Sequence, residues 1–491
     1  MRFLFVAYCF GNLNGQALIG VYKRGLRVAL ELSERGHEIV FYCTGRENFH
    51  HSLTRRAEER VRFVDFDHEE AALEKEEKNR QVFLREMAAL ELDVVIIGEA
   101  PLDGTLLECT LCAVELGVPV VVLDNAYSPS MAAEFCHVHG PALDGMVLNG
   151  LSSLYMKDPP AYMYQVPPYV EPSATEAREM LATQADFAGD QLVTMLAYDY
   201  NVECLAISLL EKLDRPDLEV LFLSSDVAGC QQRLSRLPDR LRERVRVVGP
   251  PPERVLFGLL QLSRLAVVKC AYNQVVECLS LGTPVIAYYY VGDFTLSYLT
   301  PECQAFAHSI PSVEADEKTV SEARRLLNLR PSEITSVHDG EFGAVAKAAT
   351  FLEALPRAPR QDTWQECALR GFTRERLEAA LATQYPHSAL TLQQVRTTRL
   401  RVMSDQEIYS VLCRFEADGQ PQFARLWGRV FKTTAGAQAE IARAAQPGTW
   451  RKPLYTSAPE RILIERDMGI DMLPTIENQP VWTGPTTVED Q

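Results

Sequence analysis

The sequence predicts an α/β protein with two doubly wound parallel sheets in tandem and a small α+β lobe at the carboxy end. Three observations carry this expectation. Continuous apolar runs alternate with helical patterns over most of the 491 residues, which is the signature of parallel sheets covered by helices on both faces. One proline-rich stretch interrupts the alternation, and the same grammar restarts beyond it. Towards the carboxy end the pattern changes to period-two alternation around a tight-turn dipeptide.

In chain order, residues 2–9 (RFLFVAYC) read as a buried strand. After a loop holding glycines and asparagines, YKRGLRVALELSERGHEIVFYC reads as a helix, a stop at Gly36 and a second strand, which completes a β-α-β unit. RVRFVDF is a strand and the charged HEEAALEKEEKNRQVFLREMAAL a solvated helix. LDVVIIGEA, LLECTLCAVELG and VPVVVLDNAY then give strand, helix and strand. These elements make a first domain over residues 1–160. Residues 156–177 (MKDPPAYMYQVPPYVEPSATEA) are expected to form a linker, because proline lacks the N–H that a helix interior or a central strand requires.

A second domain over residues 176–358 repeats the scheme. DQLVTMLAY, LEVLFLSS, RVRVVGP, RLAVVKC and TPVIAYYY are strands, and VECLAISLLEKL, PERVLFGLLQLS and QVVECLSLG are helices. Two such domains in tandem create a cleft between the carboxyl ends of their strands. Residues 362–491 form the third unit: YSVLCRFEADGQPQFARLWGRVFKTTAG alternates like antiparallel strands about a DG turn, ERILIERDMG adds a strand, and TIENQPVWTGPTTVEDQ reads as a loose tail.

A formal charge of -17 argues against a nucleic-acid partner, since the net field repels a phosphate backbone. The twelve cysteines show no paired zinc-type spacing and several lie in apolar runs, as free thiols do in a reducing cytosol. The opening MRFLFVAYCFGNLNG is too short an apolar run for a signal peptide, and nothing approaches the roughly 18 apolar residues of a spanning helix. A cytoplasmic protein is expected.

Glu277 is the most informative single residue. It lies in a helix among Val275, Val276, Cys278 and Leu279, where a solvated position is hard to arrange and an unpaired buried charge costs several kcal/mol. The helix opens at a strand-to-helix turn, Cys270 to Asn273, whose N–H groups and positive dipole end suit a diphosphate in the cleft. One turn further on, Glu277 can accept hydrogen bonds from two ribose hydroxyls. The alternative is a helix carboxylate on a wet face.

The spacing Tyr272-Asn273-x-x-x-Glu277-x-x-x-x-Gly282-x-Pro284 between two strands resembles the donor-nucleotide motif of GT-B glycosyltransferases. The similar group holds the N-acetylglucosaminyltransferase of peptidoglycan synthesis and the UDP-glycosyltransferases. GVYKRGLRVALELSERGHEIVF (residues 20–41) is similar to that family's opening helix and strand, and LDVVIIGEAPL with LGVPVVVLDNAY adds a third match. The resemblance spans roughly residues 1–355 and implies two Rossmann-like doubly wound domains of the GT-B type. The first would take a small-molecule, lipid or protein acceptor and the second a nucleotide sugar, UDP- or dTDP-linked, with no further cofactor and no metal.

What the resemblance implies for residues follows from these matches. Glu277 falls on the ribose, Tyr272, Asn273 and Gln274 near the diphosphate, and Asp199 and Asn201 in the phosphate-side loop of the second domain. Asn12, Asn14 and Gln16 in GNLNGQ, with Arg24, are the candidate acceptor contacts, although a plain connecting loop is the alternative for GNLNGQ. Three features depart from the family pattern: Cys270-Ala271 replaces a glycine pair, the loop Ala197-Tyr198-Asp199-Tyr200-Asn201 lacks glycine, and Gly20-Val21 stands where a Gly-His base is usual.

A missing general base forgoes about 10²- to 10⁴-fold in rate, so a substitute or a loss of activity is implied. His137 and His139 in EFCHVHGP, read as a loop, are the candidate substitutes, and Asp124 at a strand end could instead orient a base or the acceptor. Surface histidines, a Cys136-His137-His139 metal site and a loop-capping Asp124 are the alternatives. DFD (residues 65–67) mimics a metal triplet, but it leads into a helix, so Asp67 is read as a cap. The third unit resembles the amino lobe of aminoglycoside-phosphotransferase-like kinases, with Arg429 at the position of the ATP lysine and Lys432 nearby. No catalytic loop follows, so a lobe that docks a protein partner is the expectation. The function read here is metal-independent sugar transfer, and the alternatives are a catalytically silent scaffold of the same fold and a nucleotide-sugar epimerase.

Overall fold

Seven parallel strands form the first sheet: β1 (Arg2–Ala7), β2 (Glu38–Cys43), β3 (Arg62–Val64), β4 (Val94–Ile97), β5 (Val120–Asn125), β6 (Gly145–Asn149) and β7 (Met163–Val166), in the order β3-β2-β1-β4-β5-β6-β7. The computed structural model describes residues 1–7, 20–43, 57–66, 76–99, 104–126, 128–183, 191–289, 299–329, 342–368, 371–402, 406–431 and 463–467. β1, β4 and β5 are almost wholly apolar because both faces of the sheet are covered. The Gly20–Glu34 helix packs on one face through Val21, Leu26, Val28 and Leu32. Its stop is Gly36, whose φ of +88° is open to glycine at no steric cost.

The prolines of residues 156–177 mislead. Instead of being only a linker, the segment supplies β7, which pairs parallel with β6 from Met146–Met163 to Asn149–Val166. β7 is the edge strand, and its prolines fall outside Met163–Val166, so no ladder donor is lost.

The second sheet holds β8 (Leu192–Leu196), β9 (Glu219–Leu223), β10 (Val245–Val248), β11 (Leu265–Lys269), β12 (Val285–Tyr288) and β13 (Ala307–Ile310), again all parallel, in the order β10-β9-β8-β11-β12-β13. In both sheets the order reverses beside the first strand, which leaves a crevice at the carboxyl ends. The chain then returns to the first sheet. The Ala344–Glu353 helix packs Ala344, Val345, Ala348 and Leu352 into the same core as Phe3, Val28 and Leu32.

Polar contacts fasten that returning helix: Glu353 accepts from Arg35 (2.7 Å), and His37 Nε2 stands 2.7 Å from it. The His37 hydrogen bond, helped by Arg35, holds the Glu353 carboxyl below the usual glutamate range. A depressed carboxylate stabilises above its unfolded pKa and loses that contribution as pH falls through its folded value. Glu353→Gln should therefore lower Tm at neutral pH, at a cost of about 1 kcal/mol. The difference between the two proteins should close as the pH is taken down below the ordinary 4.5; a constant offset at every pH would refute the linkage.

The carboxy-terminal lobe pairs β14 (Leu390–Val402), β15 (Gln406–Ala417) and β16 (Gln420–Phe431) antiparallel, with β17 (Leu463–Asp467) parallel to β16. The β15–β16 turn is the expected Asp418-Gly419, both at positive φ. Phe372, Leu377, Val395, Val411, Phe415 and Leu426 form its core. Two buried ion pairs seat the lobe on the first domain: Arg396 with Asp144 (2.6 Å) and Arg425 with both oxygens of Glu108 (3.1 and 3.2 Å). Among the described residues the cysteines are free thiols, and no helix is long and apolar enough to cross a membrane.

Candidate functional site

The two doubly wound domains meet where the Gly20–Glu34 helix and the ends of β5 and β6 face the Glu253–Leu262 and Tyr272–Ser280 helices. Helical spacing puts Lys23 and Arg27 on one turn-to-turn ridge of the first helix. Arg27 Nε donates to Glu253 Oε2 at 3.1 Å, Nη2 makes a second, shorter bond to the same carboxylate, and Nη1 stands 3.5 Å from Glu277 Oε1. The guanidinium also lies 5.4 Å from the Phe257 ring centroid. The side chain of Glu277 is 18% exposed. Burial pushes its carboxyl above the ordinary glutamate value, and the charge of Arg27 opposes the rise. Burial likewise lowers the Lys23 amine, against the pull of Glu253.

The partner that a buried Glu277 requires is thus supplied within the chain, by Arg27 of the other domain. The neighbouring candidates are engaged too. Tyr272 Oη donates to the carbonyl of Ala126 beyond β5. Asn273 lies so close to Gly20 that a Cβ there would sit 2.5 Å from its Nδ2, and a side chain at position 20 would push the amide aside. Gln274 Oε1 accepts from the Lys269 N–H at 3.1 Å. The helix itself begins at Ala271 with no side-chain cap.

Several expectations are corrected by these contacts. Asp199 is a buried N-cap that accepts from the Asn201 N–H at 2.9 Å, so without glycines the turn closes on its own side chain. Arg24 lies inside, donating to the Gly98 carbonyl (2.5 Å) and to Asp124 (3.3 Å), so it is a strut under the strand ends and no exposed acceptor contact. His137 and His139 belong to the Pro129–His139 helix, started by Ser128 as N-cap and Pro129, and to no loop. His137 is exposed, whereas His139 is 2% exposed, with Nδ1 2.6 Å from Thr398 Oγ1 of β14. Asn12, Asn14, Gln16, Asp67 and Lys432 lie outside the described residues, as does the side chain of Arg429. Among the described residues no group of three or more His, Cys, Asp or Glu side chains is arranged to hold a metal.

Asp124 and His139 do come together, in a cavity of about 210 Å³ between the ends of β5 and β6, the Pro129–His139 helix and β14. Its walls are Met131, Ala132, Phe135, Val138 and Leu148, and its polar groups Asp124, Asn125, Glu134, His139 and Arg399. Close by, Asn149 Oδ1 at the end of β6 is buried without a hydrogen-bond partner among the described residues, as are Arg24 Nε and Tyr169 Oη.

Lys23, Arg27, Glu253 and Arg399 went unnoticed in the sequence. A basic ridge on an otherwise apolar helix was the available signal for the first two. Nothing local announces a partner 226 residues away for Arg27.

No model of a known protein family matches the chain. No curated protein matches it in sequence. Solved structures do match. MurG from Acinetobacter baumannii superposes with a TM-score of 0.52 at 14% identity, over 72% of this chain and 99% of that one. The glycosyltransferase SnogD from Streptomyces nogalater gives 0.46 at 18% identity, over 72% and 99%. UDP-GlcNAc 2-epimerase from Neisseria meningitidis, bound to UDP-GlcNAc, gives 0.45 at 13% identity, over 72% and 100%. The likeness to MurG shows the GT-B fold for the two parallel-sheet domains. It leaves more than a quarter of this chain without a counterpart and lends no support to the likeness of the carboxy-terminal lobe to a kinase.

Proposed function

We propose that this GT-B chain transfers a sugar from a nucleotide-sugar donor, UDP- or dTDP-linked, to an acceptor hydroxyl without a metal. One observation carries the reading: Glu277 stands one turn inside the helix after β11, at the seam between the domains, beyond an uncapped helix start. The carboxylate would accept from two ribose hydroxyls, with the helix N–H groups and dipole at the diphosphate. For the donor to enter, Arg27 must yield Glu277, and Tyr272 and Asn273 must part from Ala126 and Gly20. In the reaction a base takes the acceptor proton, the hydroxyl oxygen bonds the anomeric carbon, and the bond from that carbon to the phosphate oxygen breaks. The nucleoside diphosphate leaves, its charge met by the helix start. Asp124 and His139 are the candidates for the base side, and both line the cavity beside Ala126.

The test is donor hydrolysis, with UDP and dTDP binding followed by Tm. Glu277→Gln should weaken donor binding roughly 10- to 100-fold. In the native protein binding should fall as pH drops through a value above the ordinary glutamate 4.5, because only the carboxylate grips ribose. Turnover untouched by the substitution would end the assignment. A second reading, a scaffold that binds no nucleotide, is favoured by the filled seam at Arg27–Glu277 and Tyr272–Ala126. No Tm shift with either nucleotide would select it.

A further inference from the structure

We propose that the cavity between the first domain and the carboxy-terminal sheet is a binding site for a neutral, mostly apolar alcohol or phenol, completed by Arg399 of the lobe, with Thr398 behind His139. As a cavity it stands alone; its role as the acceptor subsite rests on the transfer reading above.

Its size and walls limit the occupant. About 210 Å³ lies below the roughly 300–1,000 Å³ of drug-sized pockets, so the enclosed part holds one or two rings. Met131, Phe135, Val138 and Leu148 offer an apolar surface, and the Phe135 ring stands 4.8 Å from the His139 ring, leaving an aromatic edge for a flat ligand.

Charge decides the class. Arg399, the lining cation, already faces Glu134 at 3.5 Å and Glu407 at 3.6 Å, so an anion would compete with two carboxylates for it. Asp124 is paired with the buried Arg24, and the other lining carboxylate, Glu134, is 65% exposed at the mouth beside Arg399, so inside the cavity a cation finds no uncompensated carboxylate. A hydroxyl, which can both donate and accept, matches the polar groups that Asp124, Asn125 and His139 bring to the walls. His139 is oriented by Thr398 of β14, so the lobe sets both the ring and the guanidinium at this end.

Position gives the site its interest. Asp124 and Asn125 line the cavity, and the next residue, Ala126, accepts the hydrogen bond of Tyr272 at the start of the helix that carries Glu277. A hydroxyl held by Asp124 would lie two residues along the chain from Ala126, at the seam where the donor is proposed.

The probe is naphthol, titrated by its fluorescence into the full chain without any nucleotide, with naphthoate as the anionic control. Ala132→Phe fills the cavity. Met131→Glu puts a charge at its mouth from a side chain already 37% exposed, so folding is spared if the first variant fails to fold. Saturable naphthol binding, weakened at least about tenfold in both variants and exceeding that of naphthoate, is expected. No saturation, or affinity unchanged by either variant, would overturn the site, and tighter naphthoate binding would overturn the neutral class. Because no nucleotide is present, these outcomes are independent of the nucleotide Tm test, whose failure would remove the donor reading alone.

Discussion

Arg396→Met should lower the unfolding free energy by about 3–5 kcal/mol, since it removes one partner of a buried ion pair. Arg396 is 0% exposed. Its guanidinium donates to Asp144 and to the carbonyls of Pro141, Leu143 and Arg360, so four acceptors lose a donor together. Methionine fills the stem volume but meets none of them. Among the described residues the carboxylate of Asp144 keeps the N–H groups of Val120 and Arg360. Denaturant unfolding should show an earlier midpoint, with the lobe released first. Adding Asp144→Asn should recover part of the loss, as a coupled pair does in a double-mutant cycle. A change below about 1 kcal/mol, the range of an exposed pair, would show that the lobe is not seated by this contact.

Arg27→Met should have the second-largest effect, about 3 kcal/mol. Two carboxylates, Glu253 and Glu277, then share a mostly buried seam without the guanidinium between them. The Glu277 carboxyl, already pushed up by burial, loses the larger of the two charges that oppose the rise, keeps that of Lys23, and moves further up. Its folded pKa then stands above its unfolded one. Protonation is favoured in the folded state, so the penalty grows as pH rises through that folded pKa and is relieved below it. The loss in Tm should be largest at neutral pH and shrink towards acid. If Glu277 serves ribose, the same substitution should tighten UDP or dTDP binding at neutral pH, because the competing cation is gone. If the seam is only a dock, it should loosen the domains with no gain in nucleotide affinity.

The elements of the fold were readable where local pattern suffices. β1, β4, β5 and β8 to β12 are runs of Val, Ile, Leu and Phe bounded by helical spacing, and Gly36 and Asp418-Gly419 carry the backbone freedom that their turns use. β6 and β13 went unread, and reading failed at two further places for physical reasons. The segment with β7 looked like a linker because proline content was weighed over a window, whereas the ladder tests only the strand residues themselves. EFCHVHGP looked like a loop because the helix that contains it is started by Ser128 and Pro129 and closed only by the short turn at Gly140.

At the site, the sequence marked Glu277 as a carboxylate that must have a partner, since charge among apolar residues is costly wherever it lies. It could not say which partner. Arg27 satisfies that need by coming from the other domain, and the sides of a seam are set by how two folded bodies dock. The same holds for His139, Thr398 and Arg399, whose meeting joins a helix of the first domain to a strand of the lobe. Thus the chain alone determined two parallel sheets, a carboxy-terminal hairpin lobe and one anomalous acid, because periodicity and burial cost are local properties. Only the tertiary structure decided which groups that acid, the histidine and the lobe's arginines face, because ion pairs and cavities form between segments whose sequence separation carries no signal.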